Sequence, residues 1–392
     1  MLGKYFQGTL PQLIERARLL KGKIPRTLPR DYGALIRTCE TELDNIIGRL
    51  RGLQKVPAAG GTALHHARLR QFKRAIADLD HIETTAIAVL NRAHIDDHHA
   101  NRLLYRICQE IGYPLVTPTV TTLSTSYFYI DTKLNLMFIP PAEGSFLLHL
   151  PDLYHELGHP LLTHQDHPVL DRLRVQYLEC MAHIHDHFAA QRAKEEQRRG
   201  PRGFKDQIDL WELLWSKYWL TEFFCDLYAT LTLGPAFAWS HLHLYLKMGG
   251  HAFALPDGTR NLSHPADDAR MRAILEALRR SGFQDEATEI NRRWQEALGL
   301  TTDVPAPDYM HCYAAEPIIF MVEKAAKGVA DMECRLARPG TSDPVHLMLD
   351  QAWRHFWADP ANYQRWEANA VTELFALCDG KVRSDAGSAK TS

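Results

Sequence analysis

Residues His155, Glu156 and His159 stand in the stretch HELGH, two histidines four apart with a glutamate directly after the first. On an α-helix, positions i and i+4 share a face about one turn apart, so two imidazoles placed there can be aimed at one metal ion. Glu156 leaves the helix in a neighbouring direction. A carboxylate so placed can reach a water on the metal without ligating the metal itself, which is where a general base for hydrolysis belongs. A chain with 21 histidines can produce this pattern by chance, so the assignment turns on what other segments supply.

The stretch YWLTEFFCDLYATL, residues 218–231, sets Glu222 and Asp226 four apart in otherwise apolar surroundings, where an unpaired carboxylate is costly to bury. A Glu ligand would offset part of the charge of a zinc ion held by two neutral imidazoles. An Asp one turn on could accept the second N–H of a ligand histidine. The competing reading is a helix whose acids point to solvent, yet Phe223, Phe224, Leu227 and Tyr228 leave little polar face for it. Cys225 lies between the two acids in sequence, and its expected place is the buried core. In LSHPADDARM, residues 262–271, Ser263 or His264 followed by Pro265 and two aspartates makes a good helix start. A helix start does not require His264 or Arg270. A neutral histidine donor and a fixed cation there could reach toward an oxyanion developing on a carbonyl.

In order, HELGH (155–159), EFFCD (222–226) and SHPADDARM (263–271) resemble the motifs of the gluzincin zinc metallopeptidases. They look most like the branch of the CaaX-prenyl endopeptidases and heat-shock membrane peptidases, which carry HExxH, ExxxD and HPxxxxR. The resemblance covers about 150 residues. It implies Zn2+ held by His155, His159 and Glu222, with Glu156 as general base and proton shuttle. It further implies Asp226 orienting a ligand histidine, with His264 and Arg270 stabilising the tetrahedral intermediate. In such folds a strand edge just before the motif helix pairs with extended substrate, and KLNLMFI (133–139) is similarly placed. The best-known members of the branch are integral membrane proteins; this sequence has no stretch of about 18 uncharged apolar residues. Pro160, directly after the second histidine, lacks the N–H that would bond the Glu156 carbonyl and predicts a kink. Glu179, twenty residues after His159, has the separation of the third ligand in thermolysin-type members and competes with Glu222. It has His183, not Asp, four residues on, so Glu222 is preferred.

These segments need a scaffold, and the hydrophobic spacing supplies one that is mainly α with a small β-sheet, an α+β class. Residues 1–114 read as a helical N-terminal region, with KVPAAGG (55–61) as a connector. Residues 115–300 read as the zinc metallopeptidase core. There the Thr-, Val- and Tyr-rich run 115–139 predicts strands, and Asp131-Thr132-Lys133 a hairpin turn. A helical tract spans 150–250, broken by the charged AKEEQRRGPRG (193–203). A further helix over 267–282 ends at a glycine cap. Residues 301–379 read as a helical C-terminal region, and 380–392 as a disordered tail.

Lys plus Arg (45) nearly balance Asp plus Glu (47) over 392 residues, so no global field would draw the chain to nucleic acid or an anionic membrane. Seven cysteines without a CxxC pair point to a reducing compartment, and a cytoplasmic location is expected. HIHDH (183–187) has no adjacent base and reads as a polar helix surface, and DDHH (96–99) has the letters of a phosphoesterase motif without its other elements. The expected function is a zinc-dependent peptidase acting on a protein or peptide substrate. The alternative is a catalytically silent or partner-activated interaction protein with a structural metal site, whose N-terminal helices bind a regulatory protein partner.

Overall fold

Helical periodicity dominates the chain, and the computed structural model is accordingly mainly α-helical with one small three-stranded sheet. It describes residues 2–25, 27–56, 62–92, 95–124, 127–141, 143–164, 167–199, 205–249, 251–256, 263–301 and 303–379. Most of the expected connector at 55–61 and all of the expected tail at 380–392 lie outside these. Two compact units form, one from Met1–Leu104 with Val116–Pro141, the other from Tyr105–Leu115 with Ala142–Ser392.

In the first unit, α1 (Leu2–Gly22), α2 (Gly33–Lys55) and α3 (Thr62–Ile82) pack together, and α3 continues through a π-helical turn (Glu83–Ile87) into α4 (Ala88–Leu90). Leu35, Cys39, Leu43, Ile46 and Leu50 recur at three-and-four spacing along α2, and all are buried. The N-terminal part of α5 (Ile95–Ile111) also belongs here. It carries Asp97, which accepts from Thr122 N (2.6 Å), Thr122 Oγ1 (2.7 Å) and Tyr32 Oη (3.0 Å), so the DDHH acid braces the fold.

The strands are β1 (Thr119–Thr121), β2 (Tyr129–Asp131) and β3 (Leu136–Phe138), in spatial order β1-β3-β2. Leu134, Leu136 and Phe138 enter the same apolar core as α1 to α3. The hairpin expected at Asp131 forms between β2 and β3: Asp131 Oδ1 accepts from Leu134 N at 3.0 Å, and Asn135 takes a positive φ of 50°. One expectation is overturned. β3 pairs in parallel with β1 and antiparallel with β2, so its backbone is used on both sides and it offers no edge to an extended peptide.

The second unit contains α6 (Asp152–Thr163), α7 (Asp171–Arg199), α8 (Lys205–Leu214), α9 (Leu220–Leu233) and α10 (Pro235–Met248). After these come α11 (Asp267–Arg280), α12 (Gln284–Gly299), α13 (Tyr309–Cys312), α14 (Ala315–Asp331), α15 (Pro344–Ala358) and α16 (Tyr363–Cys378). α9 is apolar nearly all round, as a central helix must be, and α6, α10, α11 and α14 pack on it. α7 runs on to Arg199, so the expected interruption at 193–203 starts later than the charges suggest. α11 ends as predicted: Gly282 has φ of 94°, its N–H bonds Arg279 O (3.1 Å), and Phe283 N bonds Leu278 O (3.0 Å). Its start differs, because Ala266 is the cap and Ser263 Oγ pairs with His264 Nδ1 at 2.9 Å. Among the described residues, no helix is long and apolar enough to cross a membrane.

Candidate metal centre

α6 carries HELGH and is buried along almost its whole length. Ser240 Oγ of α10 donates to Asp152 Oδ1 (3.2 Å) in its first turn. The helix runs through Pro160 to Thr163, and His164 N bonds Pro160 O at 3.1 Å, so the proline does not end it. α6 and α9 cross at Gly158. A Cβ there would lie 2.8 Å from Cys225 Cα and 3.0 Å from both Cys225 Cβ and Sγ, a separation that real side chains do not tolerate. The missing side chain is what lets the two helices come close enough to share a site.

Across that crossing, His155 Nδ1 meets Asp226 Oδ1 at 2.9 Å, and His155 Nε2 lies 3.3 Å from Glu222 Oε2. The ring of Phe237 on α10 stacks on His155, with centroids 6.3 Å apart and planes 14° apart. The His159 ring stands edge-on to His155 at 5.1 Å, and its Nε2 lies 4.0 Å from Glu156 Oε2. From the start of α11, His264 Nε2 comes to 3.4 Å from Glu222 Oε2 while its side chain stays 57% exposed. Arg270 is buried and directs Nε and Nη2 at Asp226 Oδ2 and Oδ1, both at 2.7 Å. The segments at 155–159, 222–226 and 264–270 therefore meet in one place. Arg270 holds Asp226, which in turn holds His155. The competing Glu179 is an exposed residue whose carboxylate is paired with Lys324. His183 stacks on Phe320 and pairs with Glu316 at 2.7 Å.

Cys225 lies in the core as expected, and it also faces the histidine pair, which was not expected. It is fully buried, and its Sγ and one ring nitrogen each of His155 and His159 all lie within 4.8 Å of one another. The sequence did contain a signal for this: Cys225 is three residues after Glu222, on the same helical face. Nothing in the sequence pointed to Phe237 beneath His155. All seven cysteines are free.

Electrostatics show what the cluster needs. Burial opposes charge on His155, but the Asp226 and Glu222 carboxylates outweigh it and push its pKa up to about 10. His159, half-buried beside that charge and with no carboxylate in hydrogen-bond contact, falls to about 4. Burial would raise Glu222, yet the His155 ring beside it brings it down to about 2. Asp226 is likewise desolvated, and Arg270 with His155 still holds it well below the usual carboxylate range. With neutral imidazoles, the carboxylates of Glu156, Glu222 and Asp226 against the Arg270 guanidinium leave two net negative charges in a largely buried space. A divalent cation would neutralise them. Glu222 Oε2 is buried and makes no hydrogen bond of good geometry. Two donors bonded to a tetrahedral ion at about 2.1 Å stand about 3.4 Å apart, close to the separation of that oxygen from His155 Nε2. Among the described residues, the donor atoms that lie mutually close enough to share an ion are those of His155, His159 and Cys225, with Glu222 beside His155. Set against protein-family models, curated proteins and solved structures, the chain matches none.

Proposed function

We propose that the chain is a metal-dependent peptidase of gluzincin type, holding zinc with His155, His159 and Glu222. When bound, the ion supplies Lewis acidity toward water and toward a peptide carbonyl. Glu156, buried beside His159, takes the proton from the attacking water and delivers it to the departing amine. His264, exposed beside Glu222 and with Nδ1 held by Ser263, would turn its Nε2–H from Glu222 to the carbonyl oxygen as charge develops there. Asp226 holds His155 through Nδ1, which would leave Nε2 to face the ion. Arg270 acts one step further back, as a positioning residue for Asp226.

The observation that carries this reading is the meeting of three segments at one point: Glu222 Oε2 lies 3.3 Å from the Nε2 of His155, whose other nitrogen is held by Asp226 and whose ring stands beside His159. Glu156→Gln tests it. The variant is expected to bind as much zinc as wild type and to lose peptide hydrolysis by orders of magnitude; hydrolysis at the wild-type rate would rule out Glu156 as the base.

A second reading, a structural metal in a partner-activated interaction protein, gains support from one observation, the Cys225 sulfur beside both histidines. Four protein donors would close the shell, as structural zinc sites do. Wild-type chain that binds zinc yet cleaves no peptide would favour it.

A further inference from the structure

Glu222, Cys225 and Asp226 stand at i, i+3 and i+4 of α9 and so share the face turned to α6. Only the glycine at 158 lets the Cys225 sulfur sit there, since a side chain at that position would occupy its space. The sulfur and a ring nitrogen from each of His155 and His159 are mutually within 4.8 Å. On a tetrahedral ion, sulfur at about 2.3 Å and nitrogen at about 2.0–2.1 Å lie about 3.6 Å apart. An adjustment on the order of 1 Å, shared among three side chains, closes the difference. Glu222 meanwhile has a second partner in His264, at 3.4 Å from the same oxygen that faces His155.

We infer that Cys225 is a ligand of the resting centre: its sulfur joins His155, His159 and Glu222 on the ion and occupies the position that water needs. This rests on the proposed reading that a divalent ion binds at this histidine pair. Ligation exchanges the S–H bond for a sulfur–metal bond, releases that proton and one water to solvent, and changes no oxidation state. Hydrolysis then requires the sulfur to yield its place, which makes Cys225 a built-in brake on the site. A sulfur donor also biases the centre toward thiophilic ions, zinc and cadmium over manganese or magnesium.

Cobalt(II) titration of metal-free wild type, Cys225→Ser and Cys225→Ala tests this by absorption. Wild type is expected to show visible bands of tetrahedral cobalt together with an intense near-ultraviolet sulfur-to-cobalt charge-transfer band. In both variants the charge-transfer band is lost while the visible bands remain. Visible bands without charge transfer in wild type would overturn the sulfur ligand and leave the His155, His159 and Glu222 centre standing. Charge transfer that persists in both variants would also overturn it, since the sulfur would come from another cysteine. Failure of wild type to bind cobalt at all would overturn the inference together with the proposed metal centre.

Discussion

Replacing Gly158 by alanine puts a methyl group where α6 meets α9. The added carbon would stand 2.8 Å from Cys225 Cα and 3.0 Å from its Cβ and Sγ, whereas carbons in contact prefer about 3.5–4.0 Å. The nearest atom belongs to backbone in the middle of a buried helix, so no side-chain rotation relieves the clash, and the helices must part by roughly 0.7–1.2 Å. Metal sites tolerate ligand displacements of about 0.2 Å. The shift exceeds that several-fold, and it separates His155 and His159 on one helix from Glu222 on the other. Overpacking of this kind costs about 1–3 kcal/mol, which for a unit of this size lowers the melting temperature by about 2–12 °C. Zinc affinity, measured by competition with a chromophoric chelator, should fall much further than stability does. Adding Cys225→Ala should restore little, because the Cα at 2.8 Å remains. Wild-type zinc affinity and an unchanged melting temperature in Gly158→Ala would refute the claim that this crossing sets the site.

Asp226→Asn leaves the buried Arg270 guanidinium without its countercharge, so denaturant unfolding should show a loss of about 3–5 kcal/mol. Zinc affinity should drop about 10–100-fold as His155 loses its orienting partner. Zinc bound per chain should be lost in Glu222→Ala and retained in Glu179→Ala, whose native carboxylate is engaged by Lys324; the reverse result would make Glu179 the third ligand. In the first unit, burial would raise the Asp78 carboxyl, but Lys133 and Arg49 hold it below its ordinary value. Its contribution to stability is therefore complete above about pH 4 and disappears as the pH falls through the folded value. Urea midpoints from pH 6 downward, about one unit at a time, should show that acid-side loss in wild type and a smaller one in Asp78→Asn.

What could be read from the sequence was whatever repeats at short range. Leu35, Cys39, Leu43 and Ile46 announced α2 by their spacing, and Gly282 announced the end of α11 because only that position needed a positive φ. The parallel pairing of β1 with β3 was not legible, since two three-residue strands carry no signal of which neighbour each will choose. That choice removed β3 as an edge. The start of α11 was also misread, as Ser263 spends its hydroxyl on His264 in place of the helix N–H groups. In the site, the i, i+4 pairs His155 and His159, Glu222 and Asp226 were legible because each is local. Arg270 was found but its direction was not: a sequence gives a cation near three acids and does not say which acid it faces.

The charge balance explains why the three segments must be read together. A glutamate and an aspartate in α9, the most apolar of the described helices, would each cost several kcal/mol to desolvate if left alone. Arg270 and the two histidines repay that cost only if α6, α9 and α11 pack against one another, and Gly158 permits the first of these contacts. Even then two negative charges remain among Glu156, Glu222, Asp226 and Arg270 when the imidazoles are neutral. Protonating His155 removes one of them, which is the direction its titration takes. A divalent cation removes both and leaves the imidazole nitrogens free to bind it. On the proposed reading, the same carboxylates that make α9 costly to bury would draw in a doubly charged ion, and folding and metal binding would rest on one set of interactions.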